Sequence, residues 1–142
     1  MDIILRKYNY KLKTGTVGTD DENIANILLS INKIEMYVPL STVNLDEIDT
    51  AFGKVFFLTL TSKVYLLRFQ KIFNDKINNE LFNEVVEMFD IALDENKENR
   101  ETLNREKPDT ENLCKVLSTI HKNILDIVPK IIMLDNQAIG RV

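Results

Sequence analysis

Apolar and polar positions change period several times along this chain. From Ile3 to Tyr10 they alternate, with Ile4, Arg6, Tyr8 and Tyr10 on one side and Ile3, Leu5 and Lys7 on the other, the period-two pattern of a strand. Lys11–Gly18, with Gly15 and Gly18, reads as a turn or a weak second strand. Thr19-Asp-Asp-Glu22 then has the spacing of a capping box, in which the Thr hydroxyl accepts from a free backbone N–H and the Glu reaches back. Ile24, Ile27, Leu28 and Ile31 follow at helical spacing and predict an amphipathic helix near 20–33. Ile34–Leu40 resumes strand character, and Pro39 places it at a sheet edge or a strand end. Asn44-Leu-Asp-Glu47 can cap one helical turn before Gly53.

The densest apolar stretch is Lys54–Gln70. Val55–Thr61 and Val64–Phe69 are rich in β-branched and aromatic residues and are separated by Ser62-Lys63, which predicts a β-hairpin at the centre of a sheet. Leu58, Leu60, Leu66 and Leu67 are interleaved on both of its faces, as in a sheet buried by helices. After Asp75 the period becomes helical. Leu81, Phe82, Val85, Val86, Phe89 and Leu93 form one face of a helix near 76–95, with Glu80, Glu84, Glu87 and Asp94 on the other. The segment 94–107 is charge-dense around a single large apolar residue, Leu103, and reads as a mobile acidic and polar stretch or an exposed helical extension. A third helix near 109–128 carries Leu113, Val116, Leu117, Ile120, Ile124 and Ile127, and Pro129 should end or kink it. Periodicity does not assign a type to Ile131–Leu134. The expected fold is therefore a single α+β domain spanning 1–142. An antiparallel sheet of about four to five strands, centred on the hairpin at 54–70, is covered by three helices.

Composition narrows the chemistry more than the fold. The chain has 142 residues, enough to bury about 68–70% of its unfolded surface without staples. It has one histidine, His121, one cysteine, Cys114, and four glycines. A closed metal site needs three or four ligands, His and Cys foremost, and a phosphate cradle needs clustered glycines at a helix N-terminus. Neither can be assembled, so no metal and no cofactor is expected. Cys114 and His121 are seven residues apart on one predicted helix, about 10 Å along its axis at ~1.5 Å per residue, too far for a direct dyad. A lone cysteine favours a reducing, cytoplasmic setting. The N-terminal charges follow the short apolar run instead of preceding it, unlike a signal peptide. No apolar stretch approaches the length of a membrane span.

Net charge is −4, and residues 75–111 hold twelve acidic and five basic residues. An acidic chain without a basic stripe is a poor nucleic-acid binder, so no nucleic-acid partner is expected. Glu80, Glu84, Glu87 and Asp94 read as a solvated helix face. Gly15-Thr-Val-Gly18 lacks the basic helix that an RNA-binding Gly-x-x-Gly loop needs and reads as a plain turn.

The element order β, weak β, α, β, β, β, α, α resembles the longin or SNARE-like fold of longin domains and adaptor-complex small subunits. Three stretches carry the resemblance: the apolar opening Met1–Leu5, the hairpin Lys54–Leu67, and Asn79-Glu-Leu81 opening a long helix that ends Glu87–Asp90. The resemblance implies a non-enzymatic protein–protein interaction module, an adaptor, regulatory or assembly subunit with a place in membrane traffic. The chemistry left open is a small viral or phage-type accessory protein that binds a host factor, or an enzyme using carboxylates alone. A partner surface is expected at Ile24, Ile27 and Leu28 on the first helix and at Met36 and Tyr37 on an edge strand, because interface anchors are aromatic or aliphatic. Homo-oligomerisation is compatible with this reading.

Overall fold

A computed structural model describes residues 19–140, apart from Glu106 and the side chains of 19–21. The strand expected at Ile3–Tyr10 and the turn at Lys11–Gly18 lie outside the described residues, as do the Thr19-Asp-Asp side chains of the capping box. The described chain is a helical bundle: α1 (Thr19–Ile34), α2 (Leu45–Phe73), α3 (Asn79–Glu101), α4 (Thr110–Leu125) and α5 (Val128–Ala138). Short 3-10 turns follow α1 at Glu35–Tyr37 and α3 at Thr102–Asn104.

There is no β-strand among the described residues, which overturns the α+β class, the antiparallel sheet and the longin-like resemblance together. The expected edge strand Ile34–Leu40 is the end of α1, a 3-10 turn and irregular chain. The expected hairpin 54–70 lies wholly inside α2, a helix of 29 residues.

The period of the buried positions explains the helix. Ile48, Phe52, Val55, Thr59, Ser62, Leu66, Phe69 and Phe73 are all buried, at alternating spacings of four and three residues, the heptad pattern of a helix seam. Its two middle positions are polar, so the seam is easily missed in a search for apolar residues. Thr59 and Ser62 satisfy their buried hydroxyls within the helix: Thr59 Oγ1 donates to the Val55 carbonyl (2.7 Å) and Ser62 Oγ to the Leu58 carbonyl (2.8 Å). A β-branched, aromatic composition is a weak preference of about 1 kcal/mol at most per position, and burial overrides it. Each fully buried Leu, Ile or Phe of this seam contributes roughly 1.5–3 kcal/mol.

The other helices begin where local chemistry starts them. Asn44 Oδ1 accepts from the Glu47 N–H (2.9 Å), so the cap foreseen for one turn opens the longest helix instead. Asn78 caps α3 through the Leu81 N–H (3.0 Å), and Asp109 caps α4 through the Asn112 N–H (3.0 Å). The expected third helix stops at Leu125; after Asp126 and Ile127, α5 restarts with Pro129 in its first turn, where a missing N–H costs nothing. Gly140 ends α5 with φ of 76°, the left-handed geometry that favours glycine. Of the segment 94–107, residues 94–101 supply the last turns of α3, including the buried Asn96, and Thr102–Asn104 form the 3-10 turn that follows.

α2 is the central element, packing most extensively on α1, then on α3, and also on α4. Ile24, Ile27, Leu28, Ile31 and Ile34 of α1 are fully buried and join α2, the apolar face of α3 and the inward faces of α4 and α5 in one core. Ion pairs tie the outside together. Lys63 of α2 meets Asp90 of α3 (2.6 Å), Arg100 of α3 meets Asp49 of α2 (2.8 Å), and Lys130 of α5 meets Glu84 of α3 (2.9 Å).

Candidate protein-interaction surface

With the seam of α2 pointing inward, the rest of its apolar content is left outside. Phe57 is 64% exposed, and Leu60, Val64 and Leu67 are 40% exposed each. They recur at spacings of three, four and three residues. At ~100° per residue they form one stripe about half a turn from the buried seam. Between Thr50 and Leu67 that line carries no charged residue. Its N-terminal end carries Asp46 and Asp49, the second paired with Arg100 of α3, whose guanidinium lies over Gly53, and its C-terminal end carries Arg68 and Lys71. One border is α3, held by the Lys63–Asp90 pair. The arrangement is an apolar strip between an Asp49–Arg100 ion pair at one end and two cations at the other, and a helix gains nothing by leaving such a strip in water.

A second surface lies where α1 turns into α2. Tyr37, Val38, Pro39 and Val43 wall a shallow cleft of about 380 Å³, with Asp46 and Glu47 at its rim. Met36 is 75% exposed beside it, and Leu40, on the same connection, is fully exposed. The residues expected to bind a partner therefore separate. Ile24, Ile27 and Leu28 have no exposed surface and belong to the core. Met36 is open to solvent, while Tyr37 is half-buried against the core. Met36 and Tyr37 are brought together with the cleft, and the α1 residues are not.

Sequence reasoning misses the α2 stripe because it places Leu60 and Leu67 in a buried sheet with Leu58 and Leu66. Of these four, only Leu66 is fully buried; Leu58 is half-buried. The available signal was the four-three alternation from Ile48 to Phe73, visible once Thr59 and Ser62 are admitted as seam positions.

The remaining candidate chemistry is dispersed. Cys114 is buried in α4, and His121, on the same helix, is half-buried. Burial pushes the His121 pKa below its ordinary value, and the nearby Glu35 carboxylate pulls it partly back. Glu84 and Asp90 of the acidic helix are engaged with Lys130 and Lys63. Among the described residues, no group of three or more His, Cys, Asp or Glu side chains is placed to hold a metal ion. Nor is any described helix long and apolar enough to cross a membrane. Compared with models of known families, with curated proteins and with solved structures, the chain matches none.

Proposed function

We propose that this protein is a non-enzymatic protein–protein interaction module, an adaptor, regulatory or assembly subunit, that works through the outer face of α2. The observation that carries the reading is the charge-free stripe Phe57–Leu60–Val64–Leu67, exposed on the side of α2 opposite its buried seam. Exposed apolar side chains scattered singly are ordinary; four in register on one helix form the ridge that a second helix or an apolar groove takes up. Interface centres are aromatic and aliphatic and depleted of charge, which favours this face over the acidic face of α3. Met36 and Tyr37 beside the α1–α2 cleft stand as an accessory contact. A reducing, intracellular setting belongs to the reading, supported by a single cysteine that is buried.

The test is affinity capture from the native source with the full chain and with Val64→Glu, followed by titration of the captured protein. Val64 is 40% exposed, so a carboxylate there remains solvated and the fold is kept. Val64→Glu should weaken the complex at least about tenfold, the effect of removing one central contact worth ~1.4 kcal/mol. Equal affinity of the two forms, with unchanged helicity, removes the α2 face from the account.

A further inference from the structure

We propose that the cleft between α2 and α3 beside Gly53 is a binding site for a free α-amino acid with an apolar or aromatic side chain. It is a different place with a different chemistry from the outer stripe of α2, and it stands independently of that reading.

Two departures from good helix packing meet at this cleft. Gly53 is a glycine inside a long helix, where almost any other residue except proline holds the helix better. Asn96 of α3 reaches the carbonyl of the neighbouring Phe52 (3.0 Å) but keeps Oδ1 buried with no hydrogen-bond partner among the described residues. A buried acceptor left unpaired is destabilising. The Arg100–Asp49 pair does not account for these features, because a half-exposed ion pair contributes little. Stability given up at adjoining positions marks a functional site more than it marks packing.

The cleft measures about 330 Å³, within the roughly 300–1,000 Å³ of small-ligand sites. α2 lines it with Asp49 and Phe56, and α3 with Asn96, Lys97, Arg100 and Glu101. Gly53 gives Arg100 its place there. The guanidinium lies where a side chain at position 53 would stand, with Nη2 3.2 Å and Nη1 3.3 Å from a Cβ built on the glycine. Asn96 is the least exposed of the lining residues, which puts the unpaired acceptor at the floor.

The lining selects the ligand. Arg100 donates through Nε to Asp49 (2.8 Å), and its Nη1 and Nη2 carry further N–H donors. Together with Lys97 it suits a carboxylate. Asn96 Oδ1 calls for an N–H donor, and Asp49 and Glu101 supply negative charge to the same cleft. Two cations and two anions sum to zero, so a simple anion or a simple cation is attracted by one pair and repelled by the other. An ammonium and a carboxylate on one carbon match both. The carboxylate accepts from Arg100 and Lys97, and the ammonium donates to Asn96 Oδ1 with Asp49 and Glu101 as counter-charges. The side chain lies against Phe56, a half-buried aromatic wall.

Titration of the ¹⁵N-labelled full chain with L-phenylalanine, followed at the backbone signals of Gly53 and Arg100 and the side-chain amide of Asn96, reads the site. Saturable shifts at all of them are expected, with a Kd of about a millimolar or tighter for a ligand of this size. Hydrocinnamate lacks the ammonium and phenethylamine lacks the carboxylate, and each should bind at least about tenfold more weakly. Asn96→Leu should close most of the gap between L-phenylalanine and hydrocinnamate. Arg100→Gln should close most of the gap between L-phenylalanine and phenethylamine. A general loosening of the fold does not sort ligands by residue in this way, and circular dichroism checks that each variant is folded. No saturable shift at about 10 mM L-phenylalanine, or shifts that leave Gly53 and Asn96 untouched, would overturn the proposal. So would truncated ligands that bind as well as L-phenylalanine, or a gap that stays unchanged in either folded variant.

Discussion

Asn96 of α3 donates through Nδ2 to the backbone carbonyl of Phe52 on α2 (3.0 Å), with Asn96 only 1% exposed and Phe52 fully buried. The carbonyl it reaches already serves the α2 ladder, so this bond is an addition. The other amide atom, Asn96 Oδ1, is buried with no hydrogen-bond partner among the described residues. The pair therefore fixes how α3 sits on α2 at a desolvation cost, the usual role of a lone polar side chain in a helix interface.

From that cost, Asn96→Leu should change stability by less than about 1 kcal/mol in either direction, because it removes the unpaired acceptor along with the bond. Asn96→Asp should cost about 3 kcal/mol or more at neutral pH, since it buries an uncompensated charge. Chemical denaturation of the two variants checks both. A loss above about 2 kcal/mol for Asn96→Leu would show that the cross-helix bond matters more than the unpaired oxygen.

Leu66 and Leu60 are six residues apart, which puts them on the same side of a strand but well around a helix from one another. Leu66 is fully buried and Leu60 is 40% exposed. Leu66→Ala should cost about 2–5 kcal/mol and Leu60→Ala less than about 1 kcal/mol. Denaturation midpoints of the two variants give the comparison. Equal, large losses at both positions would restore the two-sided sheet.

Much of the helical half was legible in the sequence. Ile24, Ile27, Leu28 and Ile31 announce α1, Leu81–Leu93 announce α3, and Leu113–Ile124 announce α4, because each has apolar residues on one face and polar residues on the other. α2 defeats that contrast. Its seam carries Thr59 and Ser62 where apolar residues are expected, and its outer face carries Phe57, Leu60, Val64 and Leu67 where polar residues are expected. The two substitutions blur the 3.6 period into a run that reads as β-structure. The outer residues are an expense to the lone fold, and they belong to the surface proposed to carry function. The partner residues chosen on α1 failed for the converse reason: Ile24, Ile27 and Leu28 are anchors, but of the core.

Gly53 lies inside α2 beneath the Arg100 side chain. A Cβ built there would come within 3.2 Å of Nη2 and 3.3 Å of Nη1. Alanine gains about 1 kcal/mol of helix preference over glycine. The Arg100–Asp49 pair it disturbs is about half exposed and worth ~0–1 kcal/mol, and a guanidinium end moves easily. Gly53→Ala should therefore be neutral to stabilising by up to about 1 kcal/mol. In an Arg100→Ala background its full gain should appear. Thermal unfolding of the cycle tests this, and a net loss for Gly53→Ala alone would mean that Arg100 is held more rigidly than its exposure implies.

His121 links stability to pH. Burial lowers its folded pKa from the ordinary 6.5, with Glu35 opposing, so the unfolded chain binds the proton more readily than the folded one. Stability from this group is present above about pH 6.5 and is lost as pH falls from there through the folded pKa. His121→Gln should flatten that part of the stability profile, and Glu35→Gln should steepen it by removing the opposing charge. Denaturation at a series of pH values between about 7.5 and 5 follows the slope. A profile in which wild type gains stability on acidification through this window would contradict the assigned burial.

The α2 face exists only if residues 45–73 form one helix. The backbone ¹³Cα secondary shifts of that segment measure it most directly. The expected result is an uninterrupted run of positive, helical shifts from Leu45 to Phe73, continuous through Ser62 and Lys63. Negative shifts over Val55–Thr61 and Val64–Phe69, broken at Ser62-Lys63, would restore the hairpin and remove the exposed stripe with the helix that presents it.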